Sequence, residues 1–243
     1  MGRGEKIHTN SIDNAAGWRA GQAKRGIAID GPGGSGKSTA ARRAAAMLGF
    51  IYVDTGAMYR AAALHCMEAG RGPSDGAAII ENMEMEIKHI DGAQRIFLNG
   101  ADVTDRLRTQ EIAEFSSKIA AVAPVREKLV AMQRRIAETN DVVMDGRDIG
   151  TRVLPDARLK IYLDACAEIR AQRRVNELQQ KGADADYDNV LAEIKKRDER
   201  DMNRAHSPLA MAADAVYIDA GDMNAEAVAD KIVELYRKTE IQN

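Results

Sequence analysis

The chain has little cysteine: Cys66 and Cys166 are its only two among 243 residues, and they do not form a C-x-x-C pair. That leaves no recognisable disulfide scaffold and no cysteine metal framework, and it fits a reducing, cytoplasmic setting. Net charge is also lacking. The formal value is −2, so no global pull draws the molecule toward nucleic acid, and any basic site must be a local cluster aimed at a small anion. No apolar run reaches the length of a membrane-spanning helix, and residues 1–24 have no apolar h-region of a secretory signal. Neither nucleic acid nor a membrane is an expected partner, and a monomer is expected. Repeats and low-complexity tracts are absent. His8, His65, His89 and His206 share no motif and are expected to be surface or packing residues.

What is present is the composition of a folded globule, 45% apolar and 30% charged. The length suits one sizeable α/β core with a small inserted or moving subdomain. Five apolar runs read as buried parallel strands: Gly26–Asp30, Phe50–Val53, Asp141–Asp145, Arg158–Asp164 and Asp214–Asp219. Helical stretches alternate with them at Thr39–Leu48, at Met58–Ala69 before Gly70, and from Pro124 through Val125, Leu129, Met132 and Ile136. The alternation predicts a doubly wound sheet.

Between the second and third strands the pattern changes. Glu86–Ile90, Arg95–Leu98 and Ala101–Thr104 are separated by Asp91-Gly92 and Asn99-Gly100, dipeptides that favour tight turns. Residues 63–105 therefore read as an insertion carrying a small antiparallel meander. Residues 1–25, without periodicity, read as a mobile extension, and residues 26–243 as the folded domain.

Gly31-Pro32-Gly33-Gly34-Ser35-Gly36-Lys37-Ser38 matches the phosphate-loop pattern G-x-x-x-x-G-K-[ST], follows an apolar strand and opens a helix. The glycines let backbone N–H groups turn toward phosphate, Lys37 can bridge the β and γ groups of ATP, and the Ser38 hydroxyl can ligate Mg²⁺. Thr39 also carries a hydroxyl, which leaves the choice of metal ligand open. No Asn-Lys pair occurs, so the guanine-reading Asn-Lys-x-Asp element of GTPases is missing.

Further segments carry a family signal: Asp54-Thr55-Gly56-Ala57-Met58-Tyr59-Arg60, Asp102-Val103-Thr104, Arg108-Thr109-Gln110-Glu111 and Asp145-Gly146-Arg147-Asp148. Together they resemble cytidylate kinase of the bacterial type, from about residue 26 to the last helix. The resemblance implies a P-loop kinase fold in which a central five-stranded parallel sheet is flanked by helices. It also implies that residues 63–105 form an inserted NMP-binding subdomain and that about 167–186 form a short helical lid. The implied reaction transfers the γ-phosphoryl group of Mg·ATP to CMP or dCMP.

By the same resemblance Thr55, Arg60, Thr104, Arg108, Arg147, Asp148, Arg197, Asp201 and Arg204 hold the acceptor. Arg170, Arg173 and Arg174 resemble the arginines of the lid, and Lys37, Arg147, Arg170 and Arg174 form the expected catalytic set. The residue chemistry agrees in part. Arginine forks suit phosphate oxygens, and Arg197, Asp201 and Arg204 share one helical face. A carboxylate at Asp201 would accept from the exocyclic amine of cytosine but repel the carbonyl that uracil presents there. Asp145 is expected behind the metal or in plain structural hydrogen bonding. Two other readings are a kinase of the same plan with another acceptor and a nucleotide-dependent binding switch.

Overall fold

The computed structural model describes residues 26–241 except 181 and 205, so the expected extension over residues 1–25 lies outside the described residues. The chain opens with β1 (Gly26–Asp30), α1 (Lys37–Leu48), β2 (Ile51–Asp54) and α2 (Thr55–Glu68). It continues with α3 (Gly76–Ile80), β3 (Met85–Ile90), β4 (Ala93–Leu98), β5 (Ala101–Asp102), α4 (Gln110–Ile119) and α5 (Ala123–Thr139). The last part is β6 (Val142–Gly146), β7 (Leu159–Asp164), α6 (Ala167–Gln180), α7 (Tyr187–Met202), β8 (Val216–Asp219) and α8 (Ala225–Ile241).

The expected parallel strands pair in the order β2-β6-β1-β7-β8. The runs of β1, β6 and β7 are buried on both faces, whereas the edge strand β8 buries only Ile218 and leaves Val216 and Tyr217 exposed. Ala28, Val142 and Met144 face Met58, Val125 and Leu129 of α2 and α5. Ile27, Ile29 and Val143 face Ala41, Ala44, Ile232 and Tyr236 of α1 and α8. Small alanines on α1 let that helix lie close to the sheet. The helix ends at Gly49, whose left-handed φ of 69° turns the chain into β2.

Two helices begin earlier than their apolar patterns suggest. The first starts at Lys37 rather than Thr39, directly from the glycine loop. The second starts at Thr55 rather than Met58, because the Asp54 carboxylate accepts the Ala57 N–H at 2.8 Å and caps it. Ala63, the expected start of the insertion, is buried in the middle of this second helix.

Beyond it a small antiparallel sheet forms in the order β3-β4-β5. Asp91 and Gly92 have φ of 52° and 73°, and Asn99 and Gly100 have 50° and 84°. Both connections are thus the mirror-image turns that these dipeptides tolerate. The hairpin covers the open edge of β2 with side chains. The Gln94 amide accepts the Asp54 N–H at 2.9 Å and donates to the Asp54 carbonyl at 3.2 Å, while the His89 Nε2 donates to the Tyr52 carbonyl at 2.8 Å. Among the described residues no helix is long and apolar enough to cross a membrane.

Candidate active site

The glycine loop joins β1 to α1 at the carboxyl end of the sheet, where open α/β sheets bind ligands. Gly31 has φ of 146°, and a Cβ there would meet the Leu163 carbonyl oxygen at 2.0 Å, so only glycine lets the loop pass the end of β7. The Ser35 hydroxyl donates to the Pro32 carbonyl at 3.2 Å and closes the loop on itself. The first turn of α1 carries no acidic residue and no side-chain cap, which leaves its N–H groups and positive dipole end for an anion.

Lys37 is buried and arches back to donate to the Pro32 carbonyl and to Ser35 Oγ. Burial, reinforced by repulsion from Arg147, pushes its ammonium down to about 7.

Behind the loop lies Asp145, buried at the end of β6. It accepts the Ser38 hydroxyl at Oδ2 and the Tyr52 phenol at Oδ1, each at 2.8 Å. Burial, with Asp54 adding repulsion, raises its carboxyl above the ordinary range. A hydroxyl and a carboxylate at the mouth of a phosphate loop are hard oxygen donors, a chemistry that fits Mg²⁺. Among the described residues no cluster of three or more His, Cys, Asp or Glu could hold a metal alone, so an ion here would lean on phosphate oxygens as magnesium commonly does. Thr39 is exposed and lines a separate depression with Ser35, Gly36, Arg173, Met223, Asn224 and Val228.

From Gly33, Lys37 and Ser38 a second cleft runs between α2, α4, α5 and α7. It brings together Thr55, Arg60, Arg147, Asp148, Arg197, Asp201 and Arg204. Thr55 Oγ1 donates to the Asp145 carbonyl at 2.7 Å, and Arg60 bonds the Asp54 carboxylate at 3.1 Å. Arg147 donates from Nε to Asp201 at 2.8 Å. Burial pushes the Asp201 carboxyl up, but Arg147, Arg197 and Arg204 outweigh it and hold the group below its ordinary value. The cleft also leaves buried polar atoms without a protein partner: Arg60 Nε, Arg204 Nε and Nη2, and the Tyr59 hydroxyl. Buried donors of this kind are rarely left idle in native proteins, which marks the cleft as a place for an anionic, hydrogen-bonding ligand.

Sequence reading missed Asp54, Tyr59, Ser116, Ser117 and Arg126, all of which line this cleft. Arg126 is buried, pairs with Asp148, donates to the Ala120 carbonyl at 3.1 Å and stands over the Tyr59 ring at 5.7 Å. Asp54 was within reach as the N-cap of a helix beginning at Thr55. Arg126 lies in an amphipathic helix, and no spacing marks it.

Three expected residues take other places. Thr104 and Arg108 do not line the cleft. The Thr104 hydroxyl accepts the Ile96 N–H at 2.8 Å and donates to Asp102 at 2.7 Å, locking the corner of the small sheet, and Arg108 is exposed. Arg170, expected among the lid arginines, is buried. It donates from Nε to the Ala165 carbonyl at 2.7 Å, from Nη1 to the Gly33 carbonyl at 3.0 Å and from Nη2 to Asp198 at 2.6 Å. All its nitrogens are engaged by protein, so it braces the phosphate loop against α7. Arg173 donates to the Ala220 and Gly221 carbonyls, and Arg174 bonds Glu177 at 2.9 Å with its side chain partly exposed.

Two ligand spaces therefore flank the glycine loop, one beside Ser35, Gly36 and Thr39 and one lined by arginines that reaches Lys37, on a parallel sheet with helices on both faces. That is the plan of a P-loop kinase. The family model for Cytidylate kinase matches residues 27–238, and the chain belongs to this family. A cytidylate kinase from Caldicellulosiruptor bescii is 49% identical over 218 residues, covering 88% of this chain and 96% of that protein. One from Corynebacterium diphtheriae is 44% identical over 217 residues, covering 88% and 94%. In fold alone, the chain is similar to the crystal structure of an uncharacterized protein from Eubacterium ventriosum, with a TM-score of 0.50 at 13% identity over 89% of this chain and 99% of that one.

Proposed function

We infer that the protein transfers the γ-phosphoryl group of ATP to CMP and dCMP, yielding ADP and the cytidine diphosphates. The observation that carries this reading is the meeting of the phosphate loop with a cleft in which the buried Arg60 Nε and Arg204 Nε and Nη2 have no protein partner.

The ATP phosphates lie along the N–H groups of Gly33 to Ser38, and the nucleoside end lies toward Thr39, Arg173 and Asn224. The acceptor phosphate takes Arg60, Arg147 and Arg197 as its clamps, beside Lys37. Arg147 packs against Gly33, where an added Cβ would meet its guanidinium at 3.4 Å, so Arg147 and its partner Asp201 belong to the phosphate end. The cytosine then points away from the loop, toward Ser117, Arg126 and Asp148. Asp148, rather than the expected Asp201, accepts from the exocyclic amine, and its ion pair with Arg126 fixes the carboxylate in place.

An oxygen of the CMP phosphate attacks the γ-phosphorus while the bond to the β–γ bridging oxygen breaks. The nucleophile is already anionic near neutral pH, so no general base is required and catalysis rests on alignment and charge. Lys37 and the arginines hold the two phosphate chains against their mutual repulsion. Ser38, with Asp145 behind it, would hold Mg²⁺, whose charge would offset that of the donor phosphates when bound.

ADP formation from Mg·ATP with CMP, dCMP, UMP, AMP or no acceptor tests the reading. Turnover dependent on CMP and dCMP is the expected result. Turnover with another monophosphate alone would refute the base assignment, and ATP binding without acceptor-dependent turnover would refute the kinase.

A further inference from the structure

Asp30 takes no part in the reading above. It ends β1, immediately before Gly31, and it is buried. Its Oδ1 accepts the Ile149 N–H and its Oδ2 the Gly150 N–H, both at 2.7 Å. Those two N–H groups open a single π-turn, Ile149–Val153, that directly follows Arg147 and Asp148. The turn's own bonds run from Arg152 and Val153 to the Asp148 carbonyl and from Leu154 to the Ile149 carbonyl. Its leading donors have no partner within it, as at any helix start. A carboxylate 119 positions earlier in the chain supplies the cap. Burial, countered by these two bonds, still raises the carboxyl to about 6, so the group is kept in the interior at a cost.

We propose that Asp30 is a positioning residue for phosphoryl transfer: by capping Ile149 and Gly150 it holds Arg147 and Asp148 in register with the phosphate loop. The proposal rests on the acceptor reading given above. The loop has supports of its own, since Gly31 packs on the Leu163 carbonyl, Ser35 bonds Pro32 and Arg170 bonds Gly33. The acceptor segment depends more on Asp30, because β6 ends at Gly146 and the next backbone donors tied to the loop strand are those of Ile149 and Gly150. Loss of the cap therefore shifts the acceptor side while leaving the donor side in place.

Asp30→Asn retains one acceptor and turns an amide N–H toward the second donor. Gly150→Ala disturbs the same contact from its other side, because a Cβ there would meet Asp30 Oδ2 at 3.4 Å and Lys160 at 3.2 Å. Initial rates are measured with CMP and ATP varied separately, and thermal unfolding is followed in parallel. Wild type must first show CMP-dependent ADP formation; without it the function reading has failed, not this one. Ile232→Ala, on the buried face of α8, is the control for destabilisation alone.

For Asp30→Asn, kcat/KM for CMP is expected to fall about 10- to 100-fold while KM for ATP stays within about threefold, and Gly150→Ala should show the same selectivity with a smaller fall. If Asp30→Asn does not fold, Gly150→Ala decides. CMP parameters near wild type, or CMP and ATP parameters declining together as in Ile232→Ala, would overturn the proposal.

Discussion

The Ser38 hydroxyl donates to Asp145 Oδ2 at 2.8 Å across 107 positions of sequence, and the Tyr52 phenol holds the other carboxylate oxygen. The hydroxyl proposed to hold Mg²⁺ is thus aimed by a carboxylate that is itself aimed. Asp145→Asn preserves the shape but removes the charge. The Mg²⁺ concentration for half-maximal rate should rise about 10- to 100-fold, the usual cost of losing a partner behind a metal ligand. A Mg²⁺ titration at saturating ATP and CMP checks this; an unchanged midpoint would remove Asp145 from the metal's support.

Lys37→Ala should lower kcat by about 10²- to 10³-fold with the fold intact, the scale seen when one charge-stabilising group is removed. Circular dichroism and steady-state rates test it together, and wild-type turnover would defeat the phosphate-loop mechanism.

Lys37 also makes stability depend on pH. Its folded value of about 7 lies below the ordinary 10.5, so between those limits the unfolded chain binds the extra proton. Stability of the ligand-free protein should therefore rise with pH across that window through this group. Lys37→Met should flatten the rise. Urea unfolding at several pH values across the window provides the comparison, and equal slopes in both proteins would be the contrary result.

Two carboxylates compete as readers of the base. Asp148→Asn should narrow the preference for CMP over UMP by about tenfold or more, because an amide accepts either ring edge while a carboxylate rejects uracil. Asp201→Asn should weaken both acceptors alike by loosening Arg147. Measuring kcat/KM for CMP and UMP in each variant separates the two, and a narrowed ratio only in Asp201→Asn would return base reading to Asp201.

Arg170 and Arg174 should separate stability from rate. Removing Arg170 strands Asp198 in the interior, and Arg170→Ala should cost about 3–5 kcal/mol of stability. Arg174→Ala, at a partly exposed position, should unfold like wild type while kcat falls. Denaturant midpoints and kcat for both variants decide; the reverse assignment of effects would restore Arg170 as a lid arginine.

The central parallel strands were legible because strands covered on both faces must be apolar at nearly every position, and that demand is written in consecutive residues. The phosphate loop was legible for the same reason, since its glycines, lysine and hydroxyl all act within eight positions. So were the Asp91-Gly92 and Asn99-Gly100 turns, where the left-handed backbone restricts the residues that fit.

Long-range pairings were decided only by the tertiary structure. Asp30 caps a turn 119 positions away, Arg126 meets Asp148, Arg170 is consumed by Gly33 and Asp198, and Thr104 is spent on a sheet corner. A charged side chain reads the same in sequence whether it faces ligand, solvent or a buried partner. What it does depends on which element packs against it, and that follows from how the layers close rather than from any spacing along the chain.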